Sequence, residues 1–184
     1  AIKAFVGAHN GVVVTSSNAP KIVAWALAHA QRLLFLPDQH LGRNTALKLG
    51  IAPNAIGMWD TQATRLATTG DYRVILWDGY CSVHQQFNVA QITKLRAQYP
   101  DIKIIVHSEC THAVVAAADV AGSTADLIRY IQAAPRNTRI AVGTDNNLVG
   151  RLRHDNPDKQ VMFLNPYSCA CILMNRIDLP HLAW

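Results

Sequence analysis

The 184-residue sequence predicts an α/β fold made of two homologous three-layer units, each with a short parallel sheet. Short apolar runs alternate with helical segments along the chain, and a set of polar landmarks occurs twice in the same order. The apolar runs are continuous, which is typical of parallel strands that helices cover on both faces. We expect the first unit over residues 1–86 and the second over residues 87–184.

The candidate strands are rich in valine, isoleucine and leucine and are bounded by turn-forming residues. In chain order they are Gly11–Thr15, Leu33–Leu36, Arg73–Trp77, Ile102–Val106, Arg139–Val142 and Gln160–Leu164. The candidate helices follow helical periodicity and are Pro20–Ala30, Leu41–Leu49, Val89–Gln98, Thr111–Val120, Thr124–Ala133 and Asn147–His154. Residues 54–71 have no counterpart in the second half, so we expect a surface insertion there.

The internal repeat is carried by three segments of the first half that have a counterpart in the second. The pairs are Val12–Val23 with Ile104–Val115, Asp38–Arg43 with Asp145–Arg151, and Arg73–Cys81 with Gln160–Cys171. All βαβ units look broadly alike, but polar landmarks that recur in a fixed order favour a duplicated unit of about 90 residues.

Composition narrows the class of protein. Half of the residues are hydrophobic and 16% are charged, unlike disordered chains. No apolar run approaches the roughly 18 residues of a membrane-spanning helix, and the first residues lack signal-peptide features. The net charge of +5 is scattered, without the basic patch of a nucleic-acid-binding protein. We expect a cytoplasmic protein with a small anionic ligand, and neither nucleic acid nor a membrane as partner.

Hydroxyl-bearing residues stand between candidate strands and helices, where the free N–H groups of a helix N-terminus can bind an anion. Ser16 precedes the helix at Pro20, and Ser123 and Thr124 stand at the start of a later helix. Each loop has two interpretations, which are helix capping alone and binding of a carboxylate or phosphate group.

His107 and Glu109 directly follow a candidate strand and are two residues apart. An imidazole and a carboxylate that reach the same cleft can act as a general acid and base. A solvated loop with no catalytic role is the alternative.

The four cysteines are too few and too unevenly spaced for a secreted disulfide framework. Cys81 and His84 form a Cys–x–x–His motif, which can ligate zinc, activate a thiol or have no function. Cys169 and Cys171 follow the equivalent strand of the second unit, so their thiolates and that of Cys81 could share a metal. Cys110 departs from this pattern and is best explained as a buried thiol.

Seven segments of the chain together form a specific pattern. They are Thr15–Lys21, Leu36–Ala46, Leu76–His84, Val106–Cys110, Gly122–Thr124, Val142–Leu152 and Cys171–Leu182. In this order, and over nearly the whole chain, they resemble the quinolinate synthases, the iron–sulfur enzymes of de novo NAD biosynthesis.

The resemblance implies a family fold of three similar α/β domains around a pseudo-threefold axis. Each domain donates one cysteine to a 4Fe-4S cluster, whose open iron position acts as a Lewis acid. It also implies condensation of iminoaspartate with dihydroxyacetone phosphate to quinolinate, with loss of phosphate and two waters. An oxidase or dehydrogenase that produces iminoaspartate is the implied functional partner.

Residue by residue, the resemblance implies that Cys81 and Cys171 are cluster ligands. Cys171 fits the family pattern Cys–x–x–Met with Met174, and Cys169 is the alternate ligand. The other implied site residues are the catalytic Glu109, His107 and His84 and the substrate-binding Ser16, Ser123, Thr124, His107 and Glu109.

The sequence differs from the family pattern by starting after the first domain. We therefore expect that domain and its cysteine to be absent, and this chain not to turn over alone. The apolar face left by the absent domain would favour self-association, for example as a homodimer. The alternative hypothesis is a non-catalytic α/β module that binds a small anion or a metal.

Overall fold

A computed structural model describes residues 2–183 and divides the chain into two compact units, with the boundary between Tyr80 and Cys81. Each unit has helices and one four-stranded sheet, which confirms the predicted α/β class. Within the described residues, no helix is both long and apolar enough to cross a membrane.

Over residues 2–80, the first unit contains three α-helices and four strands. In chain order they are α1 (Ile2–Ala8), α2 (Ala19–His29), β1 (Leu33–Phe35), α3 (Gln39–Lys48), β2 (Ile56–Asp60), β3 (Arg65–Leu66) and β4 (Val74–Trp77). The sheet order is β1-β4-β2-β3, with β4 parallel to both β1 and β2 and with β3 antiparallel to β2. The expected surface insertion therefore contributes two strands to the sheet. Its first strand begins at Ile56, which is buried.

The core of the first unit lies between the sheet and the helices α2 and α3. Its buried residues are Ala19, Val23, Phe35, Leu41, Ala46, Ile56, Val74 and Leu76. Both helices belong to this one group, so they cover the same face of the sheet. The opposite face carries Leu34, whose side chain is exposed.

The predicted strand Gly11–Thr15 is wrong. These residues have no regular secondary structure, and a turn follows them before α2 begins. Val12 and Val13 are both exposed. A strand requires a hydrogen-bonded neighbour, and no strand in residues 2–183 pairs with this segment. The apolar run indicated a strand, but the pattern of a sequence cannot show whether a partner strand is present.

The second unit contains five helices and four strands in the described residues. They are α4 (Val89–Gln98), β5 (Lys103–His107), α5 (His112–Ala117), β6 (Val120–Gly122), α6 (Thr124–Ala133), β7 (Arg139–Gly143), α7 (Asn146–Asp155), β8 (Gln160–Phe163) and α8 (Leu179–Ala183). The sheet is parallel throughout, in the order β6-β5-β7-β8. The predicted helix Thr111–Val120 is too long, because Val120 leaves the helix and pairs with Ile105 of β5.

Helices cover both faces of this second sheet, as expected for a three-layer unit. On one face, α4 and α5 pack against the sheet through Ile92, Ile104, Val106, Val114 and Leu164. On the other face, α6 and α7 pack through Ile105, Leu127, Ile131, Ile140, Val149 and Leu152. Alternate residues of β5 thus point into different layers, so the strand is buried on both faces and its sequence is continuously apolar.

The two units share the order helix, strand, capped helix, strand. Asp38 caps α3 by accepting from the Leu41 N–H, and Asp145 caps α7 by accepting from the Asn147 N–H. Ser16 stands 38 − 16 = 22 residues before the first of these aspartates, and Ser123 stands 145 − 123 = 22 residues before the second. The loop at Ser16 therefore corresponds to the loop after β6, and not to the loop after β5 that the sequence comparison paired with it.

One side chain ties the start of β5 to the start of β6. Asp119 accepts a hydrogen bond from the Ile104 N–H at 2.7 Å and another from Arg96 at 3.0 Å. Partial burial raises the pKa of Asp119, but these two donors outweigh it and hold the pKa below the ordinary 3.8.

We predict that Asp119→Ala lowers the free energy of unfolding by about 1–2 kcal/mol, because it removes a charge-assisted hydrogen bond to a buried strand. Asp119→Asn keeps an acceptor for Ile104 and should lose less. Since the folded-state pKa is depressed, the carboxylate stabilises above pH 3.8 and this stabilisation is lost as the pH falls below it. Urea unfolding at pH 7 and pH 3 measures both effects, and equal stability of all three proteins at pH 7 would contradict the prediction.

Candidate functional site

The carboxyl ends of β5, β6 and β7 form one edge of the second sheet. His107 ends β5, Gly122 ends β6 and Gly143 ends β7. Because the three strands are parallel and adjacent, the loops that follow them leave the sheet on the same side. Glu109 lies on the first of these loops and Thr144 on the third, so the topology gathers the polar residues of the unit at this edge.

The two histidines stack on each other beside Glu109. The rings of His84 and His107 lie 4.4 Å apart between centroids at an interplanar angle of 10°, and both side chains are buried. His84 Nδ1 is 3.2 Å from Glu109 Oε2, a distance for an ion pair, although the direction is poor for a hydrogen bond. His84 Nε2 faces the Thr144 hydroxyl at 3.4 Å. Side chains of two loops, the one after β5 and the one after β7, therefore hold His84 from two sides.

The electrostatics of this group separate the two histidines. Burial lowers the pKa of His84, but the contacts with Cys81 and Glu109 outweigh it and raise that pKa to about 9. Burial and the neighbouring charge of His84 lower the pKa of His107 to about 4. Burial raises the pKa of Glu109, yet His84 and His107 outweigh it and lower that pKa. At neutral pH the site therefore contains a His84–Glu109 ion pair beside a neutral His107.

The tautomer of His107 follows from its backbone partner. The Glu109 N–H donates to His107 Nδ1 at 3.2 Å. A backbone N–H can only donate, so Nδ1 is the acceptor and the proton of the neutral ring is on Nε2. His107 can therefore offer an N–H to a ligand.

Cys81 completes a group that could bind a metal ion. The possible ligand atoms of Cys81, His84 and Glu109 all lie within 4.8 Å of one another. A hydrogen bond from His84 lowers the pKa of the Cys81 thiol despite the opposing effect of burial. Sequence analysis predicted the Cys–x–x–His motif and the His–x–Glu motif separately, and the structure brings the two together.

Ser123 is fully engaged in capping α6. Its hydroxyl donates to Asp126 Oδ2 at 2.6 Å and its backbone N–H donates to the same oxygen at 2.8 Å, while the Asp126 N–H donates to the hydroxyl. These bonds lower the pKa of Asp126. Gly122 permits this tight turn, because a Cβ there would lie 2.6 Å from the Cβ of Asp126. Thr124 begins α6 and is exposed.

Ser16 belongs to the first unit, where it lies half-buried in the turn before α2. That turn is held by Asn18, whose side-chain oxygen accepts from the backbone N–H of Thr15 at 2.7 Å and from its hydroxyl at 3.2 Å. The side chain of Asn18 makes no cap bond to α2. The turn is thus closed by its own residues.

The remaining cysteines occupy different environments. Cys171 is half-buried on the loop after β8, and its N–H donates to Asp145 Oδ2 at 3.2 Å. Cys169 is exposed on the same loop. Cys110 is fully buried in the core beneath α4 and α5, as expected from its sequence context.

Sequence analysis missed the contributions of Thr144 and Asp145. Both follow β7 directly, and the repeat of the Asp38 segment was the only sequence signal for this loop. In the structure, Thr144 contacts His84 and Asp145 contacts the Cys171 backbone, in addition to capping α7. Neither contact could be predicted from spacing, because both partners are distant in sequence.

We predict that His84→Phe slows alkylation of Cys81 by iodoacetamide several-fold at pH 7. The phenyl ring keeps the stacking shape but removes the hydrogen bond that favours the thiolate, which is the reactive form. Mass spectrometry of the modified peptides measures the rate, with exposed Cys169 as the internal control. His154→Phe alters an exposed histidine and should leave the Cys81 rate unchanged, whereas an unchanged rate in His84→Phe would contradict the prediction.

The whole sequence, residues 1–184, matches the sequence model of the family described as quinolinate synthetase A protein. It is 54% identical over 187 residues to the quinolinate synthases of Listeria monocytogenes serovar 1/2a and Geobacillus thermodenitrificans. It is 52% identical to the quinolinate synthase of Bacillus cereus strain B4264. These alignments include all of this chain and 51% of each relative, so the chain corresponds to about half the length of these proteins.

The family resemblance that the seven motifs predicted is confirmed by this match. Since the match covers the chain from the first residue to the last, the chain belongs to the quinolinate synthetase A protein family.

Proposed function

We propose that the complete protein containing this chain is a quinolinate synthase, which condenses iminoaspartate with dihydroxyacetone phosphate, and that this chain supplies part of its active site. The observation that carries this proposal is the His84–Glu109 ion pair beside neutral His107, at the strand edge where α/β units bind ligands. An iminoaspartate-producing oxidase or dehydrogenase would supply one substrate.

The cysteines of this chain have the chemistry that a 4Fe-4S cluster requires. Such clusters are held by thiolates, and the pKa of the Cys81 thiol is lowered by His84. The Cys81 sulfur also lies within 4.8 Å of the ligand atoms of His84 and Glu109, a donor set that fits a metal centre. We propose Cys81 and Cys171 as ligands, with Cys169 as the alternate, and when bound the cluster would supply a Lewis acid.

Glu109 is the proposed base. Its lowered pKa keeps it ionised at neutral pH, so it can accept a proton from substrate carbon or nitrogen. His84 holds the carboxylate in place through the ion pair. A histidinium with a pKa of about 9 keeps its charge through the neutral range and so favours the carboxylate form between proton transfers.

His107 and the hydroxyl loops are the proposed substrate contacts. The Nε2–H of neutral His107 can donate to a substrate carboxylate without adding a second positive charge to the site. Thr124 presents an exposed hydroxyl at the N-terminus of α6, where free N–H groups favour an anion. Ser16 and Ser123 are the further proposed contacts, although the Ser123 hydroxyl would first have to leave Asp126.

A second candidate function is supported by the metal-capable group itself. Cys81, His84 and Glu109 present sulfur, nitrogen and oxygen ligands within 4.8 Å, a donor set that zinc accepts. A module that binds a single metal ion would need these residues and would not need Cys171. The ligand requirement therefore distinguishes the two functions.

We predict that Cys171→Ala in the complete, anaerobically reconstituted protein loses the iron and acid-labile sulfide of the cluster. The matched variant Cys169→Ala should keep both near the wild-type level, because Cys169 is exposed and its hydrogen bonds to Gln86 are made by its backbone, which alanine keeps. Iron and sulfide analysis with visible absorption measures the outcome. Loss of iron in Cys169→Ala alone would make Cys169, and not Cys171, the ligand. Wild-type protein that contains one zinc and no iron would favour the module that binds a single metal ion.

We predict that Glu109→Gln in the complete protein lowers turnover by at least about 10²-fold, the usual contribution of a general base. The amide keeps the size of the side chain but cannot accept the proton. The absorption and electron paramagnetic resonance signals of the cluster should stay unchanged, and Asp155→Asn should be fully active as the control. Wild-type turnover in Glu109→Gln would remove this residue from the mechanism.

A further inference from the structure

We propose that Gln86 is a positioning residue that fixes the loop between β8 and Cys171 against the segment Cys81–Gln86. The loop carries Cys169 and Cys171, and the segment carries Cys81 and His84. Gln86 thus connects the two parts of the unit that contain the cysteines outside the core. Gln86 lies outside the seven segments that carry the family resemblance.

The side chain of Gln86 pairs with the peptide groups of Cys169 as a neighbouring strand would. The Cys169 N–H donates to Gln86 Oε1 at 2.6 Å, and Gln86 Nε2 donates to the Cys169 carbonyl at 3.4 Å. The same Nε2 donates to the Ser82 carbonyl at 3.3 Å. One amide therefore bridges the residue after Cys81 and the backbone of Cys169.

The backbone carbonyl of Gln86 forms a second link to the same loop. It accepts from Asn165 Nδ2 at 3.1 Å, near the start of the loop, and from Gln91 Nε2 at 3.2 Å. Gln91 is itself fixed by the capping box that it forms with Asn88 at the start of α4. Gln86 is therefore anchored to a rigid helix, and it holds the loop at both Asn165 and Cys169.

The far end of the loop is held from the other side of the site. Asp145 accepts from the Cys171 N–H, and the Ser168 hydroxyl donates to Asn146 at 2.7 Å. These bonds attach the loop to the start of α7 but not to the Cys81 segment. The hydrogen bonds given above between the loop and the segment Cys81–Gln86 all involve Gln86.

In this arrangement Gln86 holds the two cysteine-bearing parts of the unit next to each other. A site that needs a thiolate from each part of the unit requires the two parts to stay in register, and residues behind the ligands commonly provide such support. The fixing of the loop by Gln86 is independent of any metal. The importance of this contact for retaining the cluster rests on the proposed function. The two statements are therefore tested by different measurements.

The first measurement is amide hydrogen exchange of the complete protein, resolved to single residues by mass spectrometry with electron-transfer fragmentation. In Gln86→Ala, we expect exchange of the Cys169 amide and of the Cys171 amide to accelerate at least about tenfold, because the loop opens as a local unit. The Ile105 amide in the central strand β5 should exchange as in the wild type. Gln86→Glu keeps an acceptor for the Cys169 N–H and should show a smaller acceleration.

Gln132→Ala, which alters an exposed glutamine on α6, is the control and should change none of these rates. Wild-type exchange at Cys169 and Cys171 in Gln86→Ala would overturn the proposal. The proposal would also be overturned if, in both Gln86 variants, the Ile105 amide accelerated as much as the Cys169 and Cys171 amides. The whole unit, and not the loop alone, would then be opening.

The second measurement uses the complete protein. Removal of iron by a chelator should be several-fold faster in Gln86→Ala than in the wild type or in Gln132→Ala. If the wild-type complete protein holds no iron, the proposed function fails. The exchange data then still show whether Gln86 fixes the loop. If iron is retained equally in all three proteins, Gln86 does not contribute to retaining the cluster, and that part of the inference fails.

Discussion

The parallel pairing of β5 with both β6 and β7 is the constraint on which the candidate site depends. In this register Val106 lies opposite Ala121 on one side and Gly143 on the other, so the three strands end nearly level. The loops that carry Glu109, Ser123 and Thr144 then start from one edge, without any long connection to bring them together. Helices on both faces bury these strands, and the polar side chains of the site lie on the loops that follow them. The chemistry of the unit thus follows from a fully buried sheet.

The ion pair between His84 and Glu109 shows why the site must be built as a whole. Each charged group is largely buried, and a buried charge without its partner is strongly destabilising. Glu109 is the single glutamate of the sequence, and it stands where a histidinium can compensate it. Burial and the charge of His84 together lower the pKa of His107 and keep it neutral, so the protonation states of the three side chains are linked. A change to any of them alters the other two.

Periodicity and motif spacing predicted most of the second unit, including the bounds of α4 and α6, because its apolar faces and caps are encoded locally. They failed where the outcome depends on a distant partner. Val12 and Val13 read as a strand but pair with none, and Val120 reads as helix but joins β5. At the site, the motifs and the resemblance located His84, His107 and Glu109, but they did not predict the stacking of the two histidines or the ion pair. The roles of Gln86 and Thr144 lacked a sequence signal, since each acts on residues that only folding brings near.

The capping box at Ser123 has a consequence for how tightly a ligand could bind. Its hydroxyl has one proton, so donation to a bound anion would replace the bond to Asp126 Oδ2, while the hydroxyl oxygen would still accept the cap bond from the Asp126 N–H. By reciprocity, a stronger bond between this hydroxyl and the Asp126 carboxylate must make the anion bind more weakly. The surroundings of Asp126, which include Arg129, would therefore influence the affinity of the loop without contacting the ligand.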